Sequence, residues 1–105
     1  MTESIPYKDY PILFVDDEAM AITTLQKLFK DDFSVYTAGN GEEAMAVLEA
    51  HPNIAMVVTD QRMPRISGLD LLIHVAEIYP KIINILVTAY SDLALVIKII
   101  NKGNL

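Results

Sequence analysis

The amino-acid sequence predicts an α/β domain in which a parallel sheet carries helices on both faces. Four short apolar runs rich in β-branched residues alternate with four stretches whose apolar residues recur at helical spacing. The connections between them are short, so each strand–helix–strand unit is expected to cross over right-handedly. The run from Ile54 to Asp60 is the clearest strand: Met56, Val57 and Val58 lie between the breakers His51-Pro52-Asn53 and Met63-Pro64. An apolar run of that length is expected to be buried on both faces, as parallel strands are.

The elements follow in order. Residues 1–10 form a leader with Pro6 and Pro11 as breakers, expected to be extended and mobile; residues 11–105 form the domain. Ile12 to Val15 is the first strand and ends in Asp16-Asp17-Glu18. A helix is predicted from Glu18 to Lys30, with Ile22, Leu25, Leu28 and Phe29 inward. Its acidic start and its terminal Lys27 and Lys30 both suit the helix dipole. Phe33 to Ala38 is the second strand, Gly39-Asn40-Gly41 a turn, and Glu42 to His51 a helix that buries Ala44, Val47 and Leu48. The third strand, Ile54 to Thr59, runs into a loop from Gln61 to Ser67. A helix from Gly68 to Tyr79 then buries Leu69, Leu72, Val75 and Ala76, and Pro80 stops it. Ile82 to Thr88 is the fourth strand; Asp92 to Lys102 is the fourth helix, capped by Ser91 and stopped by Gly103. Met20, Met45, Met56 and Met63 read as gap-fillers, and His51 and His74 as helix-surface residues.

Composition narrows the function. A chain of 105 residues with 52% hydrophobic residues has enough apolar surface for one well-filled core, which excludes disorder. The net charge of −6 argues against nucleic acid or an anionic membrane as the direct partner. Cysteine is absent, which rules out disulfides and thiolate metal sites. No apolar run approaches the ~20 residues of a membrane helix, and the N-terminus lacks the apolar centre of a signal peptide. A cytoplasmic location is expected.

The chemistry gathers at the strand ends. In an open parallel sheet, ligands bind at the carboxyl edge of the strands. That edge would collect Asp16 and Asp17 from the first strand, Asp60 from the third and Thr88 from the fourth. Three carboxylates brought together repel, and a divalent cation relieves the repulsion. All-oxygen ligands point to Mg²⁺ or Mn²⁺ ahead of Ca²⁺. Such a set suits phosphoryl transfer to an aspartate, with the Thr88 hydroxyl placed to donate to a phosphoryl oxygen. Each residue also has a plainer reading: Asp16 and Asp17 as helix caps, Asp60 as a turn former, Thr88 as an ordinary strand residue. Their shared position at one end of three strands favours the functional reading.

Three stretches make the pattern specific: Ile12-Leu-Phe-Val-Asp-Asp-Glu18, Val58-Thr-Asp-Gln-Arg-Met-Pro64 followed by Gly68, and Val87-Thr-Ala-Tyr90. In this order they resemble the receiver domain of bacterial two-component response regulators, over essentially the whole chain. The resemblance implies a flavodoxin-like (CheY-like) sheet, here of strand order 2-1-3-4 without the usual fifth strand and helix. It further implies that Asp60 accepts a phosphoryl group from a histidine kinase or phosphotransfer protein. Asp16, Asp17, Asp60 and the Arg62 backbone carbonyl would hold Mg²⁺. Thr88 and Ala89 would contact the phosphoryl group, Arg62 and Tyr90 would tune its lifetime, and Met63, Pro64 and Gly68 would shape the loop. The family's pattern continues into a strand ending in Lys-Pro and a fifth helix, so an output domain beyond Leu105 is expected. Lys98 and Lys102 do not occupy a strand end and are poor substitutes for the family's Lys.

Two further classes compete. A haloacid-dehalogenase-type phosphohydrolase also starts from a strand ending in Asp, but needs Asp-x-Asp where this chain has Glu18. A phosphorylation-independent interaction module would keep the fold without the chemistry. The fourth helix carries an apolar arc, including Leu95, Val96, Ile99 and Ile100, wider than the ~100° that one buried face needs. With an open edge on the fourth strand, this predicts a homodimer through that strand and helix.

Overall fold

The computed structural model describes residues 6–88. Four strands, β1 (Ile12–Val15), β2 (Val35–Ala38), β3 (Met56–Asp60) and β4 (Ile83–Val87), alternate with three helices. The helices are α1 (Ala19–Phe29), α2 (Gly41–Ala50) and α3 (Gly68–Ile78). All pairings are parallel, in the order β2-β1-β3-β4, which is the expected flavodoxin-like arrangement. The predicted fourth helix, with Leu95, Val96, Ile99 and Ile100, lies outside the described residues, as do Ala89 and Tyr90.

The two faces of the sheet are unequally covered. Leu13, Val15, Ala38 and Val57 point to the face closed by α2 and α3, where they meet Ala44, Leu48, Leu71, Leu72 and Val75 in one buried cluster. On the other face α1 stands over β1 and β2, with Phe29 stacked on Phe14 at 5.5 Å. It does not reach far enough to close β3, so Met56 and Val58 are only partly buried; burial of β3 on both faces, as the sequence predicts, is half realised. Leu28, expected inward, is exposed for the same reason, and Met20 is exposed and fills no gap. In α3 the buried arc is Gly68, Leu69, Leu71, Leu72 and Val75, while Ala76 is exposed. Contact with both the sheet and α2 turns Leu71 inward and leaves Ala76 at the rim.

The leader is anchored over residues 7–11 and is not an extended tail there. Tyr7–Asp9 form one 3-10 turn, and the Tyr7 ring packs 5.0 Å from Phe33. The Ser34 hydroxyl donates to the Lys8 carbonyl, and the buried Pro11 accepts from Ala55 N–H through its carbonyl. β2 begins at Val35 and not at Phe33 as predicted, although the Ser34 carbonyl still accepts from the Ile12 N–H of β1. At its other end β3 continues one residue further than predicted, because Asp60 still pairs with Val87.

β4 bears two departures from an ideal apolar strand. Ile83, Ile85 and Val87 are exposed on the face away from α3. On the opposite face Asn84, opposite Val57, has a buried Oδ1 that meets no hydrogen-bond donor among the described residues. A buried unsatisfied acceptor costs about 1–3 kcal/mol, whereas an apolar side chain of similar shape does not carry that penalty. Asn84→Leu should therefore raise the thermal midpoint, by ~4–8 °C for each kcal/mol recovered, as read by circular dichroism on the full chain.

Candidate functional site

The site is built where β1 and β3 end side by side. Val15 pairs with Thr59, so the next residues along, Asp16 and Asp60, come out as neighbours. Asp16 stays in the frame of the sheet, its N–H donating to the Ala38 carbonyl. Its Oδ1 accepts from the Glu18 N–H at 3.0 Å, closing a turn that leaves Asp17 exposed at the sheet's edge. The N-cap of α1 is Glu18, and no side chain caps that helix. Asp16 and Asp17 are thus not the helix caps of the plainer reading.

Asp16, Asp17 and Asp60 each offer a carboxylate oxygen, and the three oxygens lie within 4.8 Å of one another. Asp60 titrates above the ordinary carboxylate value of 3.8: partial burial is the main cause, the Asp16 charge comes next, and Asp17 and Glu18 add to it. A hydrogen bond from the Gln61 N–H opposes these effects without cancelling them. The donor set is all oxygen, acidic and partly open to solvent, which fits a hard divalent cation.

The loop from β3 to α3 is fixed by residues of several kinds. The buried Thr59 hydroxyl lies 3.0 Å from the Asp60 carbonyl oxygen and 3.7 Å from Met63 Sδ, and donates between them. Met63 also packs against the core. Arg65 adopts the left-handed conformation, φ 68°, and pairs with Glu42 of α2 at 3.3 Å on the open surface. Ile66 sits against Gly41, where a Cβ would meet it at 3.2 Å. Gly68 is buried directly behind the acidic site, and a Cβ there would overlap the Asp60 carbonyl oxygen. Of the residues singled out from sequence, the fold brings Asp16, Asp17 and Asp60 together and sets Gly68 behind them. Thr88 follows Val87, the partner of Asp60, and is half-buried at the same sheet end. Pro64 and Arg62 lie exposed on the loop; Gln61 and Arg62 line an open cleft with Asp17. The contributions of Thr59 and Gln61 were not apparent from sequence; a threonine and an amide flanking Asp60 carry no periodic signal.

Comparison with known proteins agrees with this geometry. The model of the response regulator receiver domain matches residues 12–104. A hydrogenase transcriptional regulatory protein, HoxA of Cupriavidus necator, is 32% identical over 98 residues, covering 93% of this chain and 20% of that protein. The two-component response regulator ORR3 of Oryza sativa subsp. indica is 34% identical over 77 residues, 72% of this chain and 59% of its own. Among solved structures, a response regulator receiver domain protein from Clostridium thermocellum superposes with TM-score 0.81 at 30% identity, covering 90% of this chain and 76% of its own. An adenylate cyclase structure from Rhodopirellula baltica gives 0.83 at 28%, covering 90% and 70%. The chain belongs to the response regulator receiver domain family, a family of regulatory domains. It spans only about a fifth of the length of the hydrogenase regulators it matches. Among the described residues, no helix is long and apolar enough to cross a membrane.

The raised pKa of Asp60 has a stability consequence of definite sign. Between the ordinary 3.8 and the raised folded value, the native state binds a proton that the unfolded chain has lost. Stability therefore falls as pH rises through that window and stays lower above it. In metal-free buffer, Asp60→Asn should melt above the native chain at neutral pH, and the difference should close as the pH drops below ~4. A divalent cation at ten times its Kd should stabilise the native chain by ~1.4 kcal/mol, and Asp60→Asn by less.

Proposed function

We propose that this domain receives a phosphoryl group on Asp60 from a histidine kinase or phosphotransfer protein, with Mg²⁺ at the acidic cluster, and passes the change to an output partner. The observation that supports this most directly is the convergence of the Asp16, Asp17 and Asp60 oxygens at one sheet end, behind which Gly68 is packed. In the transfer, an Asp60 carboxylate oxygen bonds to phosphorus while the phosphorus–nitrogen bond of the donor phosphohistidine breaks, and the electron pair leaves with the imidazole. Asp16 and Asp17, with the Arg62 carbonyl, would hold the cation beside Asp60. Mg²⁺ supplies charge neutralisation for the incoming phosphoryl oxygens. Thr88 is assigned the role of donating to a phosphoryl oxygen once it is in place, with Ala89 beside it. Arg62 and Tyr90 are assigned the tuning of its lifetime, and Mn²⁺ would serve in place of Mg²⁺.

The phosphoryl donor tests this reading. Intact mass of the full-length domain, with the family's Lys-bearing fifth strand, should rise by one phosphoryl group after incubation with Mg²⁺ and acetyl phosphate, and residues 1–105 alone should label weakly. Asp60→Asn should abolish the gain, and chelation should reduce it at least tenfold. A mass gain that persists in Asp60→Asn would overturn the assignment.

The kinase partner and the output segment belong to the same proposal, as does a homodimer through the fourth strand and helix. The exposed Ile83, Ile85 and Val87 on β4 support the strand half of that interface; Leu95, Val96, Ile99 and Ile100 would supply the helix half. Sedimentation equilibrium should show a dimer that Ile85→Lys shifts to monomer. A native chain that stays monomeric at tens of micromolar would remove the dimer and leave the phospho-acceptor reading intact.

A further inference from the structure

Gln61 makes three hydrogen bonds that tie the β3–α3 loop to its surroundings, two through its backbone and one through its side chain. Its N–H donates to the Val87 carbonyl at 3.1 Å, next to Thr88. Its own carbonyl accepts from the Gly68 N–H at 3.0 Å, and its side-chain Oε1 accepts from the Leu69 N–H at 2.8 Å. The first turn of a helix leaves its leading N–H groups without intrahelical partners. In α3 those donors are shared between two residues. Gly68 and Leu69 go to Gln61 and Asp70 to the side chain of Ser67, after which the intrahelical series opens with the Leu71 N–H on the Ser67 carbonyl. Ser67 is the local cap, adjacent in sequence. Gln61 reaches across the loop, seven and eight residues back from its partners. Leu69 is buried, so its N–H has no ready replacement from solvent.

We propose that Gln61 is a positioning residue for the acidic site: its side-chain amide locks the backbone between Asp60 and Arg62 to the first turn of α3, while its backbone N–H ties the same segment to the end of β4. The proposal rests on the receiver reading above. It assigns a task to the residue after the acceptor, in addition to those of Asp60 and Arg62. With the staple in place, the Asp60 carboxylate and the Arg62 carbonyl are held at fixed distances from Asp16 and Asp17 before a cation arrives. Without it, the loop must be ordered at the moment of binding, which weakens the cation site; outer-shell groups of this kind typically change metal affinity 10–100-fold. The same bonds give a change at Asp60 a direct mechanical route to α3 and to Thr88.

A simple helix cap would have a different signature, and Ser67 provides the comparison. Gln61→Met keeps the length of the side chain and removes the acceptor; Ser67→Ala removes the other cap of the same helix. Mg²⁺ binding to the full chain, measured by titration calorimetry, should weaken about tenfold in Gln61→Met and less than twofold in Ser67→Ala, although both lower the thermal midpoint. Gln61→Glu, which retains an acceptor oxygen, should restore affinity to the native value or better. Amide exchange at Leu69 should be faster in Gln61→Met and protected again in Gln61→Glu. Should Gln61→Met fail to fold, Gln61→Asn, one methylene short of Leu69, takes its place in the comparison. Equal Mg²⁺ affinities in native and acceptor-free chains would overturn the positioning role while leaving the receiver reading standing. A native chain that binds no Mg²⁺ would overturn both.

Discussion

The constraint on which the rest of this domain depends is the parallel pairing of β1 with β3. Because Val15 lies opposite Thr59, the chain has no freedom over where Asp16 and Asp60 emerge: they leave the sheet as neighbours. A one-residue slip would turn Leu13, Val15 and Val57 away from α2 and α3 and separate the carboxylates in the same movement. The hydrophobic register and the placement of charge are thus one specification. The energy that holds like charges together comes from the buried cluster beneath them, not from anything at the site.

That cluster is one-sided. Leu48 of α2 and Val75 of α3, both fully buried, close one face of the sheet from β2 to β3, while α1 covers only the β1–β2 half of the other. The rigid side is the one that backs the β3–α3 loop. Gly68 packs against the Asp60 carbonyl, Met63 is tied to Thr59, and Ile66 rests on Gly41. A site whose loop is anchored at several points along its length can hold three acidic groups near one another without collapsing or splaying. The positive φ of Arg65 is the one local cost visible in that loop, and it falls away from the carboxylates.

Much of this was legible in the residues. The succession of strands and helices within residues 6–88 and the parallel sheet follow from alternating apolar runs, whereas the strand order follows only from the resemblance to receiver domains. The acidic set follows from the strand ends, because a parallel sheet puts every carboxyl terminus on one edge. What the pattern could not convey was coverage. Leu28 and Leu25 look alike on a helical wheel, but only the position of α1 over β1 and β2 decides that Leu25 is half-buried and Leu28 is not. Nor could it show that the leader would return to the sheet, since Tyr7 meets Phe33 across 26 residues of chain. Asn84 reads as a lapse in an apolar strand, and only the fold shows its oxygen to be buried without a donor among the described residues.

Gln61 was hidden for a related reason. Sequence patterns register side chains that recur or cluster, whereas the weight of Gln61 comes from where its neighbours' backbone N–H groups point. Every backbone donor in α3's first turn needs an acceptor, and a local cap such as Ser67 can meet only part of that need. The remainder falls to a residue brought there by the loop's path. The first turn of helix α3 is thereby held both by its own cap, Ser67, and by the residue beside Asp60. On the phospho-acceptor reading proposed above, a charge change on Asp60 would reach the first turn of α3 through these bonds.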